Sequence, residues 1–141
     1  MSQADIDVVF DQFAAVNERD FERAMDAYAD DVVLVVPGEG LQTGTFTGKR
    51  VVGEWFGDWF RTFDRDYHFD VSEARELDDG PIFLHAKHGG SGRLSGIKLH
   101  DENAYLYRVR DGKVTRVGFF ATPEAALEAA SLPEWSETKT D

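Results

Sequence analysis

Gly92–Phe120 reads GRLSGIKLHDENAYLYRVRDGKVTRVGFF, and this stretch sets the architecture. In Ala104–Arg110, Tyr105, Tyr107 and Val109 alternate with Leu106, Arg108 and Arg110, the period-two signature of a strand with one face on a core. Arg110-Asp111-Gly112-Lys113 supplies a turn, with glycine where a positive φ is needed. Val114–Phe120 returns as a second strand, so the spacing predicts a β-hairpin. Tyr105 and Tyr107 share a face, which Asn103 and Asp101 continue while the strand stays regular. Phenols and short polar groups on a concave sheet suit a small organic ligand. They serve equally well as core fillers whose hydroxyls reach a carbonyl or water.

Upstream of this hairpin, Ile82–His88 reads as a strand, and Gly89-Gly90-Ser91-Gly92 as a sharp bend or loop. Asp78-Asp79-Gly80-Pro81 is a turn. Before it, Tyr67, Phe69 and Val71 alternate with His68, Asp70 and Ser72, which predicts a half-exposed antiparallel strand over Tyr67–Leu77. From Thr47 a helix is expected, with a wide apolar face of Val51, Val52, Trp55, Phe56, Trp59, Phe60 and Phe63. Gly53 and Gly57 inside it each cost about 1 kcal/mol relative to alanine, which points to close packing on a sheet or partner helix. Residues 39–48, rich in Gly and Thr around Phe46, form a loop or short hairpin.

The N-terminal third predicts two helices and a strand. Ile6, Val9, Phe10, Phe13 and Val16 make a helical stripe over residues 4–17, with Ser2 and Asp5 at capping-box spacing. Asp20 is the expected N-cap of a short helix that turns Phe21, Ala24, Met25 and Tyr28 inward and ends at Asp30-Asp31. Val32–Val36 is a β-branched run, expected to be buried on both sides and closed by Pro37-Gly38. At the other end, Thr122-Pro123-Glu124 starts a final helix with its body at Ala125–Ala130, and Pro133–Asp141 reads as a polar, frayed tail. The order is three helices broken by one strand, then long antiparallel strands, then a short helix. Such a sheet curls, and helices cover its concave side, giving an α+β cone open at one end. The expected organisation is a single domain over residues 1–132 with a flexible tail over 133–141.

A chain of 141 residues has room for one substantial core, and 42% hydrophobic and 13% aromatic content marks it as globular. The 11 phenylalanines suggest a core or pocket lined with rings. A net charge of −12 argues against nucleic acid and anionic membranes as partners, since both select basic surface. The absence of cysteine excludes disulfides, thiolate metal sites and cysteine nucleophiles. No apolar run reaches the ~20 residues of a membrane span, and MSQADID lacks a signal-peptide pattern, so the cytoplasm is the expected location.

His85 and His88, three apart in a strand, point to opposite faces, and no paired metal-ligand motif exists, so no metal or other cofactor is expected. His100-Asp101-Glu102 is the densest titratable cluster near the tyrosine strand, with Asp101 on the Tyr105 face and His100 and Glu102 pointing away. It reads equally as a solvated strand end. Glu39 lies in a loop within swing of a pocket mouth. Arg93, Arg108 and Arg116 are expected to pair with acids across the outer sheet face. Gly89–Gly92 lies between strands rather than before a helix, which excludes a phosphate-binding loop there.

From Ile6 to Leu132 the chain resembles the SnoaL-like branch of the NTF2-like superfamily, to which ketosteroid isomerases also belong. The resemblance is carried by Asp20-Phe21, Tyr28-Ala29-Asp30-Asp31, Gly92-Arg93-Leu94-Ser95-Gly96, Ala104, Arg110-Asp111-Gly112-Lys113-Val114, Phe120 and Glu124–Ala129. It implies a hydrophobic pocket between sheet and helices, and a homodimer. Ketosteroid isomerases use a carboxylate base with a tyrosine and a protonated aspartate as oxyanion donors. By the resemblance, the base position falls at Val36, which takes no proton, the helix-one tyrosine near Gln12, and the strand aspartate near Tyr105, whose phenol can still donate. The polyketide-cyclase aspartate has no clear match.

Two readings follow. In the first, the cone holds a small apolar, ring-shaped molecule, with isomerase- or cyclase-type acid/base help from Tyr105, Asp101 and His100. The ligand would then touch Tyr28, Trp55, Trp59, Tyr107 and Phe119. In the second, the cone is filled by its own side chains and the domain is a non-catalytic dimerisation module.

Overall fold

The computed structural model describes residues 3–38, 43–78 and 80–135. The elements run α1 (Gln3–Asn17), α2 (Phe21–Asp26), β1 (Tyr28–Val36), β2 (Gly44–Thr47), α3 (Lys49–Arg61), β3 (His68–Glu76), β4 (Ile82–Ser91), β5 (Lys98–Arg110), β6 (Lys113–Phe120) and α4 (Pro123–Ala129). A short 3₁₀ turn follows at Pro133–Trp135. The strands form one curved sheet in the order β2-β1-β6-β5-β4-β3, antiparallel except where β1 runs parallel to β6. This is the expected α+β cone.

The hairpin that organises the sequence is present, and its turn explains its residues. Asp111 and Gly112 have φ of 55° and 78°, the paired left-handed conformation of a two-residue turn that follows the twist of its strands. The inward row of Tyr105, Tyr107 and Val109 packs with Val9 and Phe13 of α1 and Val52 and Trp55 of α3. The alternation implied one buried face; the structure buries two. Ala104 and Leu106 on the opposite face join Phe83, Phe120, Ala126, Ala130 and Trp135 in a second cluster under α4.

Local chemistry explains the helix boundaries. Asp20 caps α2 by accepting from the Arg23 N–H, and Thr122 Oγ1 accepts from the Ala125 N–H at 3.1 Å to start α4, with Pro123 in its first turn. Asn17 ends α1 and docks it. Its amide donates to the Phe69 carbonyl and accepts from the Phe69 N–H, each at 2.9 Å, a two-point clamp onto β3. A Cβ on Gly53 would stand 2.9 Å from Met25 Cε, so the close approach anticipated for α3 is made to α2.

Several expectations are corrected. The short second helix ends at Asp26, and Tyr28, Asp30 and Asp31 belong to β1, whose pairing with β6 shifts register between Tyr28 and Val33. Val33 and Val35 are only half-buried. Gly89 and Gly90 form neither bend nor loop: β4 runs straight through them to Ser91. The reason is steric, since a Cβ on Gly90 would lie 2.5 Å from Tyr67 Cα. Arg108 faces Arg116 across β5 and β6 rather than an acid. The Arg108 guanidinium donates to the Glu134 carbonyl at 2.8 Å, and that of Arg116 lies 5.1 Å over the Trp135 ring. Trp135, placed by the sequence in a frayed tail, is 1% exposed. Burying a side chain of that size contributes about 3 kcal/mol, enough to hold Pro133–Trp135 against the sheet. The expectations for Ser2, Glu39, Asp79 and the tail beyond Trp135 fall outside the described residues.

Candidate functional site

Between α1, α2, α3 and the concave face of the sheet lies a cavity of about 1040 Å³. It follows from the way the cone is packed. At one end, Trp55 and Trp59 stack in parallel at 5.9 Å, and Phe119 meets both edge-on at 5.9 and 5.7 Å. That end is solid. At the other end the short α2 contributes only Phe21, Ala24 and Met25, and α3 presents Gly57 where a larger residue would fill the space. The cone is therefore half filled and half open.

The cavity floor is aromatic. Phe13 meets Tyr105 at 5.2 Å and Phe69 at 5.3 Å, both edge-on, with Tyr107 beside them at 6.2 Å. Phe56 stacks on Tyr28 at 6.3 Å to form one wall, and Phe21 against Phe60 at 5.4 Å forms another. The polar atoms inside are few. Gln12 Nε2 donates to the Ala24 carbonyl at 3.0 Å, while Gln12 Oε1 is buried with no hydrogen-bond partner among the described residues. The hydroxyls of Tyr28, Tyr105 and Tyr107 are also buried against this apolar chamber.

Burial raises the pKa of all three phenols, keeping them protonated as hydrogen-bond donors. Neighbouring phenols add to the rise, Tyr67 and Tyr28 at Tyr105, and Tyr28 and Tyr105 at Tyr107. Hydrogen bonding with the Gln12 side chain offsets part of the rise at Tyr28, and with the Asn103 side chain part of it at Tyr105. The mouth is charged: Arg19, Lys49, Arg50, Arg61, Arg65 and Arg93 line it, with Asp64 the single acid among the described lining residues.

Of the residues named from sequence, Tyr28, Tyr105 and Tyr107 are brought together on this cavity. Trp55, Trp59 and Phe119 are not among its lining; they are the filled end. Asp101 and His100 are also not lining residues. Asp101 is exposed and stands opposite His88 in the β4–β5 register, and its carboxylate accepts from the Glu102 N–H. His100 is exposed opposite Gly89 on the other face of the strand. Val36 lies outside the lining as well, and Gln12, at the implied tyrosine position, sits inside it.

The sequence reading missed two features. Phe13 and Gln12 reach the cavity from α1, but the helical stripe gives no clue to which turn faces a hole. The cationic mouth comes from four separate segments, and only folding assembles it. His88 is 5% exposed and bonded to Tyr67 on the inner face, while His85 points outward to Glu102 at 2.9 Å, as the strand spacing required. No group of three or more His, Cys, Asp or Glu comes together to hold a metal among the described residues. No helix among them is long and apolar enough to cross a membrane.

A curved sheet covered by helices is also the architecture of an NTF2-like protein from Burkholderia xenovorans (TM-score 0.67, 20% identity, 92% and 97% of the two chains). The sequence profile of the SnoaL-like domain matches residues 9–117, so the chain belongs to the SnoaL-like family. It is 29% identical to the uncharacterised protein Rv0034 of Mycobacterium tuberculosis over 126 residues, 89% of this chain and 95% of that one. Among solved structures it is similar to TerC co-crystallised with polyporic acid (TM-score 0.73, 21% identity, 89% and 97% of the two chains). It is also similar to RV0760c from Mycobacterium tuberculosis in complex with estradiol-17β-hemisuccinate (TM-score 0.72, 19% identity, 84% and 93%). At these identities both likenesses are of fold.

Proposed function

We propose that this protein binds a small, largely apolar, ring-shaped organic molecule carrying hydroxyl or carbonyl groups. The observation behind this reading is an open aromatic cavity lined by Tyr28, Tyr105 and Tyr107, with an unpaired Gln12 Oε1 inside it among the described residues. Buried polar groups without partners cost about 1–3 kcal/mol each, and a ligand offering matching groups recovers that cost. Support by analogy comes from TerC and RV0760c, each crystallised with a ring compound.

Binding is favoured over isomerase- or cyclase-type catalysis. Proton abstraction needs a base in reach of the ligand, and the single lining carboxylate among the described residues is Asp64 at the mouth. Tyr105 serves in this reading as a hydrogen-bond donor to a ligand oxygen. A homodimer completes the proposal on the family resemblance alone, and sedimentation velocity tests it. The alternative of a wholly filled cone lacks support on the α2 side, where the cavity lies.

Gly57 supplies the test. It lines the cavity within α3, and a Cβ there would meet only Arg61 Nη1, at 3.5 Å. Gly57→Leu fills the chamber while removing a helix-interior glycine worth about 1 kcal/mol. Calorimetric titration with steroids, hydroxyquinones and aromatic polyketides gives saturable binding of at least one class to the wild type. That binding is lost in Gly57→Leu and weakened about fivefold in Tyr105→Phe. Absence of saturable binding for every class, or binding indifferent to Gly57→Leu, overturns the proposal.

A further inference from the structure

The charge at the cavity mouth runs against the charge of the chain. Overall, 27 Asp and Glu outnumber 15 Lys and Arg. Around the cavity the ratio reverses, with six cations to one acid among the described lining residues. Two of the six are neutralised locally: Arg50 pairs with Glu54 at 2.7 Å, and Arg61 with Asp58. These exposed pairs contribute little to anything.

The other four cations are different. Arg19, in the α1–α2 link, donates to the carbonyls of Val16 at 3.0 Å and Arg65 at 2.8 Å, which pin the guanidinium without cancelling its charge. The Arg93 guanidinium, in the β4–β5 link, donates only to the Phe63 carbonyl among the described residues, at 3.4 Å. Lys49 at the start of α3 and Arg65 in the α3–β3 link have no carboxylate within ion-pair distance among the described residues. Four segments distant in sequence thus converge on one opening and bring uncompensated positive charge to it. Like charges gathered this way repel, and folding gains nothing from them. An apolar wall beside them focuses their field toward the mouth.

We infer that the ligand is an amphipathic anion, with an apolar ring body in the aromatic chamber and a carboxylate, sulfonate or sulfate group at the mouth among Arg19, Lys49, Arg65 and Arg93. This rests on the binding reading above and adds the charge class to it. The same field repels the cationic counterpart of any such molecule, so selectivity by charge sign comes with the site.

A matched pair of fluorescent probes separates this inference from the reading beneath it. Anilinonaphthalene sulfonate and N-phenylnaphthylamine share one ring body and differ by the sulfonate. Titrated into the wild-type chain at low ionic strength, the sulfonate binds about tenfold tighter than the neutral probe, and the gap closes in about 0.5 M salt. Gly57→Leu abolishes the signal of both, placing them in the chamber. The combined Lys49→Gln, Arg65→Gln, Arg93→Gln variant brings the sulfonate's affinity down to that of the neutral probe.

Equal affinities in the wild type, or a preference for the neutral probe, overturn the anion inference while the pocket reading stands. Sulfonate binding that survives Gly57→Leu places that probe on the surface and also overturns the inference. No binding of either probe removes both readings. The wild-type comparison needs no variant, so a fold defect in the triple variant leaves the test intact.

Discussion

The Tyr67 hydroxyl lies 2.8 Å from His88 Nδ1, a contact buried inside the cone. Trp59 Nε1, a donor with no acceptor role, gives its proton to the same hydroxyl at 2.8 Å. The arrangement that leaves no proton idle has Tyr67 donate to Nδ1, so His88 is neutral with its hydrogen on Nε2. Burial acts in the same direction and lowers the His88 pKa, with Asp101 across the strands opposing it more weakly. The linkage sign follows. A histidine whose folded pKa lies below its unfolded value of 6.5 takes up its proton more readily in the unfolded chain. Stability is therefore full above that value and is lost as pH falls through it.

The first prediction is read as a difference. Urea midpoints of wild type and His88→Gln, compared between about pH 7.5 and about pH 5, converge on acidification because only the wild type carries this loss. A constant difference across the range would mean that His88 binds its proton as readily in the folded chain as in the unfolded one.

All four tyrosines of the chain, Tyr28, Tyr67, Tyr105 and Tyr107, are raised above their ordinary pKa of 10.0, and burial is the leading cause in each. The unfolded chain releases these protons first, so stability present below the ordinary value is lost as pH climbs past it. In an ultraviolet titration of the native protein, phenolate absorbance stays flat through about pH 10 and then rises together with loss of the far-ultraviolet circular dichroism signal. A phenol titrating near its ordinary value with the fold intact would show that one ring is solvated.

Gly90→Ala is expected to be severe. The added methyl would sit 2.5 Å from Tyr67 Cα, 2.9 Å from the Tyr67 backbone nitrogen and 2.9 Å from its Cβ, and backbone cannot swing aside as a side-chain tip can. Overpacking of this kind costs about 3 kcal/mol, and the strain falls on the strand that holds the Tyr67–His88 bond. Chemical denaturation measures it; a loss under about 1 kcal/mol would mean the β3 entry relaxes freely.

Trp135→Ala tests the second core. Trp135 packs on Phe120 at 6.5 Å and under the Arg116 guanidinium, and its removal opens a cavity on the outer face of β5 and β6. The expected destabilisation is about 3–5 kcal/mol by denaturant titration, with the ligand chamber on the opposite face left formed. Truncation after Leu132 reproduces most of it.

The elements were legible where local rules act alone. The Tyr105/Leu106 alternation, the Asp111-Gly112 turn and the Thr122-Pro123 cap each depend on a few neighbouring residues, and the structure contains all three. Boundaries were misread where a distant contact overrides local preference. Gly89 and Gly90 look like punctuation until Tyr67 and Leu99 are seen pressed against them. Trp135 looks like a tail residue until Arg116 and Phe120 are seen beneath it.

The division runs through the site as well. By itself the sequence determined an α+β cone, its hairpin, and the placing of Tyr105 and Tyr107 on an inward face, because period-two alternation and turn chemistry are properties of adjacent residues. Only the tertiary structure decided which half of the cone is open. It put Trp55, Trp59 and Phe119 into the filled end, left Asp101 and His100 outside, and gathered Arg19, Lys49, Arg65 and Arg93 at one mouth. Strand register and helix docking set those positions, and both are fixed by contacts between residues tens of positions apart.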